Sequence, residues 1–438
     1  MDEYGFGSRG PGVQLLQLGL SRAGYQPGRI DGSFGRGTEN ALRQFQQAQG
    51  LPATGRSDAA TWQAMMPWLI GTRFVQLRQG DTFWRLSQQY DTSVAAISAA
   101  NPELDPRDLR PGQTVAIPLD FPVVPTGIAF TSQVLELTLT GLLLRYPYLG
   151  SGAIGSSARG LPIWSVSIGE GETQVFYNAA HHANEWITTP VLLAFLEEYC
   201  LALLDGDTLY GYDAAELFRR TTLSIVPMVD PDGVDLVTGY LSSGPWYECA
   251  KQWAENYPAI PFPEGWKANL NGVDLNLQYP AGWEEARRIK ESMGFTSPAP
   301  RDYVGTAPLT QPEALAVYRH TLRNDFRLTL SYHAQGKLIT GATSITSRPA
   351  ARRSPRPWGK PAATRWRKLP LSAATRATRI GSSRPTTAPA TPSRWARVSA
   401  PCPSPSLMGS TPITSAFSSS AWPLPPSRPS PPWRKPHP

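Results

Sequence analysis

The stretch QVFYNAAHHANEW, residues 174–186, runs from a short apolar, β-prone segment into a pair of histidines. Val175-Phe176-Tyr177 predicts a buried strand, and Asn178-Ala179-Ala180 relaxes it into a turn. His182 and Glu185 then stand three apart at the mouth of a following helix. One helical turn separates them, so both side chains can reach a single cation. Such a pair is by itself more often a solvated helix face. A distant segment changes the balance: residues 326–332, FRLTLSY, read as a second strand that delivers His333 at its end. Two imidazoles and one carboxylate, with a fourth position for water, form the ligand set of a catalytic zinc.

The surrounding residues supply the elements of an α/β domain. Residues 131–146 predict a helix, residues 161–168 (LPIWSVSI) a strand, and residues 188–204 a long apolar helix. Residues 221–229, TTLSIVPMV, predict another buried strand, ending in Asp230-Pro231-Asp232-Gly233. Strands alternating with helices at this spacing predict a mixed, largely parallel sheet in a domain over residues 122–340. Ligands of such sheets gather at the carboxyl ends of the strands, where His182 and His333 both fall.

Two compact units precede that domain. In residues 1–70, Val13, Leu16 and Leu20 recur at helical spacing, and Ala41, Leu42 and Phe45 begin a second apolar stripe. The turn-rich run from Gly28 to Gly35 lies between them, and Gly50-Leu51-Pro52-Ala53-Thr54-Gly55 follows. This small helical unit resembles the peptidoglycan-binding-1 module. Residues 74–118 predict a β-α-α-β order, with Gly80-Asp81-Thr82 as turn and N-cap and Ala100-Asn101-Pro102 closing the second helix. Those residues and the final run from Leu109 to Pro118 resemble a LysM domain, which implies binding to N-acetylglucosamine-containing glycans. Residues 120–125 are a Pro-rich link.

Together His182, Glu185, Trp186, the run Gly272-Val273-Asp274-Leu275-Asn276 and Ser331-Tyr332-His333 resemble the zinc carboxypeptidase family. The resemblance implies Zn2+ held by His182, Glu185 and His333, with Asn276 binding substrate and His181 an ordinary polar turn residue. True carboxypeptidases grip the terminal carboxylate with an arginine at the position of Leu277, and many relatives carry another at Asn184. A bidentate arginine is the usual reader of a carboxylate, so both departures argue against an ordinary C-terminal exopeptidase. With two wall-binding modules attached, the chain most resembles the bacterial γ-D-glutamyl-L-diamino acid endopeptidases. The resemblance implies peptidoglycan as partner, through both its glycan and its stem peptides.

Charge divides the chain near Thr340. The net charge is +7, yet the 16 Lys/Arg after Thr340 face no Asp or Glu, while residues 1–340 balance at −9. A nucleic-acid reading would rest on the tail alone, and none is expected. Residues 341–438 hold 20 of the 44 prolines, a density that predicts a low-complexity, disordered tail. The abrupt change also fits a reading-frame shift near residues 338–341. In the family the general base is a glutamate on a late strand after the third ligand. No Asp or Glu follows Asp325 here, so the peptidase domain is expected to be incomplete and its catalysis impaired. The alternative is a non-catalytic wall-binding protein with a decayed peptidase domain. Three scattered cysteines make no zinc knuckle. No run reaches the roughly 20 apolar residues of a membrane span. The N-terminus lacks the basic and apolar regions of a signal peptide, which leaves a spore, cytoplasmic or wall location open.

Overall fold

A computed structural model describes residues 1–334. The tail, with the expected disorder, frame shift and missing base, lies outside the described residues. The chain opens with three helices, α1 (Pro11–Arg22), α2 (Arg36–Ala48) and α3 (Ala59–Ile70). The apolar stripes meet between them: Val13, Leu16, Leu20, Ala41, Leu42 and Phe45 are all buried. Next comes the β-α-α-β unit of β1 (Thr72–Gln76), α4 (Phe83–Tyr90), α5 (Val94–Ala100) and β2 (Thr114–Pro118). Thr82 and Ser93 cap its helices by accepting from the amides of Arg85 and Ala96. β1 and β2 pair antiparallel, Thr72 opposite Pro118.

The third unit begins with α6 (Ser132–Arg145), β3 (Gly150–Ser156), β4 (Pro162–Ile168) and β5 (Thr173–Asn178). The long helix α7 (Thr188–Asp205) follows, then the small hairpin β6 (Thr208–Leu209) and β7 (Tyr212–Asp213), and α8 (Ala214–Arg220). β8 (Thr221–Val226) leads to α9 (Pro231–Val237), α10 (Pro245–Ala254), α11 (Trp283–Ser292), α12 (Pro312–Arg323) and β9 (Phe326–Ser331). The sheet order is β3-β4-β8-β5-β9. β8-β5 and β5-β9 are parallel, but β3-β4 and β4-β8 are antiparallel. Among the described residues the sheet is therefore evenly mixed rather than largely parallel, because β3 and β4 form a hairpin instead of a helical crossover.

By length and composition, the helix at 183–205 could cross a membrane. Here Leu192, Leu193, Leu196 and Cys200 pack it into the core instead.

The Pro-rich link is not a free tether. Val123 and Val124 are buried, and Glu197 of α7 accepts from both their amides, at 2.6 and 3.0 Å. Arg22 of α1 donates to the carbonyls of Pro122 and Val123 as well as to Trp68 and Leu69. Arg145 of α6 reaches the carbonyls of Gly71 and Leu119. Helix α3 comes so close to α6 that a Cβ at Gly141 would lie 2.2 Å from the Ile70 carbonyl oxygen. One continuous apolar core thus runs from the first helices into the sheet domain.

Candidate metal centre

β5 and β9 lie side by side in parallel register, Asn178 opposite Ser331, so both chains leave the sheet at the same edge. The Tyr332 amide extends this pairing by donating to the Asn178 carbonyl, at 2.8 Å. Beyond β5 the backbone turns sharply through Ala180, a non-glycine residue at φ +49°, where L-residues are strained. His182 follows in extended conformation, and Ala183–Glu185 form one turn of 3-10 helix. The expected helical pair is thus presented by this turn, since α7 begins only at Thr188.

The turn and the strand end bring His182, Glu185 and His333 together, with one ligand atom from each within 4.8 Å of the others. His333 Nδ1 lies 2.8 Å from Glu185 Oε2, and His182 Nδ1 lies 3.2 Å from the same oxygen. His182 Nδ1 is buried without an aligned hydrogen bond. An orphaned imidazole nitrogen converging with a second imidazole on one carboxylate is a donor set suited to a divalent cation.

The sequence reading left out three neighbours of the cluster. Asp274 Oδ1 lies 3.2 Å from His182 Nε2, the carboxylate-histidine arrangement that orients a metal-binding ring. Burial opposes the charge on His182, but Asp274 and Glu185 outweigh it and raise the imidazole to about 9. Lys267 Nζ lies 2.9 Å from Glu185 Oε1. Burial would raise the Glu185 carboxyl, yet His182, His333 and Lys267 hold it well below its usual range. Tyr279 pairs with His181, OH to Nε2 at 2.8 Å. His181 is accordingly a buried neutral imidazole and not an open turn residue: burial, with His333 and His182, lowers it to about 3.

Asn276 is exposed on the 3-10 turn Leu275–Leu277, its amide donating to Asp274 Oδ1 at 3.2 Å. Leu277 beside it is half-buried, and Asn184 lines a pocket next to Lys267. Asp274 sits in a run the sequence singled out, but its role depends on a ring 92 positions away. No local pattern marks Lys267.

A zinc carboxypeptidase family model matches residues 138–396, a peptidoglycan binding domain model residues 9–65, and a LysM domain model residues 75–118. The γ-D-glutamyl-L-diamino acid endopeptidase 1 of Lysinibacillus sphaericus is 45% identical over 196 residues, 44% of this chain and 48% of that protein. The uncharacterized protein YqgT of Bacillus subtilis (strain 168) is 40% identical over 214 residues, 48% of this chain and 55% of that one. A spore cortex-lytic enzyme of Bacillus cereus is 43% identical over 60 residues, 14% of this chain and 23% of that enzyme. The chain thus spans about half the length of the first two relatives.

Proposed function

The chain belongs to the zinc carboxypeptidase family, and from that membership we propose that it is a peptidoglycan-directed zinc metallopeptidase. Its proposed reaction is hydrolysis of the amide between D-glutamate and the diamino acid of the stem peptide. One observation carries the reading: His182, Glu185 and His333 converge on one point in a chain whose residues 9–65 and 75–118 match two wall-binding modules. The identity to an enzyme named for the γ-D-glutamyl-diamino acid bond supports the substrate.

In this reading His182, Glu185 and His333 hold Zn2+, which when bound lowers the pKa of its water and polarises the scissile carbonyl. Asp274 orients the His182 ring by accepting from Nε2. Lys267 places a fixed positive charge at the cluster, where it offsets charge developing on the carbonyl oxygen. Asn276, exposed beside the cluster, binds the substrate backbone. The glycan-binding units hold the chain on an insoluble substrate and raise its local concentration.

A general base must still take a proton from water and pass it to the leaving amine. Glu185 and Asp274 are both engaged by imidazoles, and no acidic residue follows Asp325. The engagement of both carboxylates favours a second reading, a wall-binding protein whose peptidase domain retains the metal site without turnover. Zinc content and hydrolysis of a γ-D-glutamyl-diaminopimelate peptide by the purified chain separate the two. Zinc with turnover supports the peptidase; zinc without turnover supports the binding protein; no zinc defeats both site assignments.

A further inference from the structure

Next to the ligand cluster lies a pocket of about 310 Å³, lined by Asn184, Glu264, Lys267 and Arg301 with an apolar wall at residues 259–261. Three backbone segments are laced together beneath it. The Ala183 and Asn184 amides donate to the carbonyls of Lys267 and Trp266, at 3.2 and 3.1 Å. The Lys267 and Ala268 amides in turn donate to the Pro300 carbonyl, at 2.8 and 2.9 Å. The turn bearing Glu185, the segment bearing Lys267 and the segment bearing Arg301 are therefore fixed side by side.

Arg301 is held on one edge only. Its Nε lies 2.6 Å from Asp302 Oδ2, and it makes no other ion pair among the described residues. Asp302 itself is clamped: its φ is +67°, its amide donates to Asp274 Oδ2 at 3.1 Å, and Lys290 takes its other oxygen. Two cations share this one carboxylate, which leaves net positive charge on the wall of the pocket. The acidic lining residue Glu264 is exposed and solvated, so its charge is screened, whereas the Lys267 and Arg301 side chains are only 12% and 26% exposed.

We propose that Arg301 is a specificity residue that recognises a substrate carboxylate beside the scissile bond, the free α-carboxylate of a γ-linked glutamyl residue. This rests on the stem-peptide reading above. The chemistry discriminates: an α-linked peptide uses that carboxyl in its own backbone, whereas a γ-linked glutamyl residue leaves it charged near the scissile carbonyl. A planar guanidinium fixed at one edge matches such a carboxylate in geometry and charge. Leu277, half-buried at the end of the 3-10 turn, offers no charge for a terminal carboxylate, whereas Arg301 places one on the wall of this pocket.

The test uses the full zinc-loaded chain and two peptides, N-acetyl-L-alanyl-γ-D-glutamyl-L-diaminopimelate and its D-isoglutaminyl counterpart, in which the α-carboxylate is a carboxamide. Affinity is read as Kd by calorimetry, or as KM where turnover occurs. The wild-type chain is expected to prefer the carboxylate peptide by about 10-fold or more. Arg301→Gln is expected to bind both alike with its zinc content unchanged, and Arg301→Lys to regain part of the preference. Equal wild-type affinity for the two peptides overturns the proposal while leaving the stem-peptide reading standing, and that comparison needs no variant. A preference that survives in Arg301→Gln also overturns it and leaves Arg301 a partner of Asp302 alone. If neither peptide binds the wild type, the stem-peptide reading fails and takes the proposal with it.

Discussion

At His182 the imidazole is oriented by Asp274, a residue that never approaches it along the chain. With Nε2 engaged there, Nδ1 is left facing Glu185 and His333. Asp274→Asn keeps the size of the side chain but not its charge. It is expected to weaken zinc binding by about 10- to 100-fold, measured by competition with a chelator. His333→Ala removes a donor outright and should lose stoichiometric zinc altogether, read by metal analysis after desalting. Unchanged zinc content in His333→Ala would assign the metal to other residues.

At the scale of elements, the start of α9 carries an unusual concentration of buried acid. Asp230 caps the helix by accepting from the Gly233 amide, at 3.0 Å, while its other oxygen is buried without a partner. Burial and the nearby Glu313 push Asp230 well above its usual range, and burial with Asp232 pushes Glu313 up to about 7. Carboxyls raised in the folded state bind more protons there than in the unfolded chain. Stability is therefore expected to fall as pH rises from the ordinary carboxyl range, about 4, toward 7. Asp230→Asn keeps an oxygen for the cap and removes one charge. It should unfold at higher urea than wild type at pH 8 and at nearly the same urea at pH 4. Parallel pH profiles for the two chains would show that Asp230 is not part of this titration.

For the whole molecule, the decisive feature is that the units matching the peptidoglycan binding and LysM models pack directly against the peptidase domain. Glu197 holds the link through two amides and lies 3.9 Å from the buried guanidinium of Arg145. Removing it in Glu197→Ala strands a buried charge and two amides, at an expected cost of about 3–5 kcal/mol. Because the first three helices share one core with the sheet domain, those two units should unfold together, with fluorescence and circular dichroism tracing the same transition. Two separated transitions would mean that the units are independent after all.

Much of this organisation was legible in the chain. Helical spacing at Val13, Leu16 and Leu20, the capped β-α-α-β unit, and the strands ending near His182 and His333 all follow from local patterns of apolar and turn residues. Such patterns report which face of an element is buried, so they carry the elements and their order. They do not report what an element is buried against. The even mixture of the sheet, the 3-10 turn at His182, the pairing of His181 with Tyr279 and the locking of the link by Glu197 are all contacts between distant segments. The stretch at residues 174–186 therefore identified two candidate ligands by itself. Only the packing of β5 against β9 and of residues 266–268 against that turn decided how they are held, because orientation and charge come from neighbours in space.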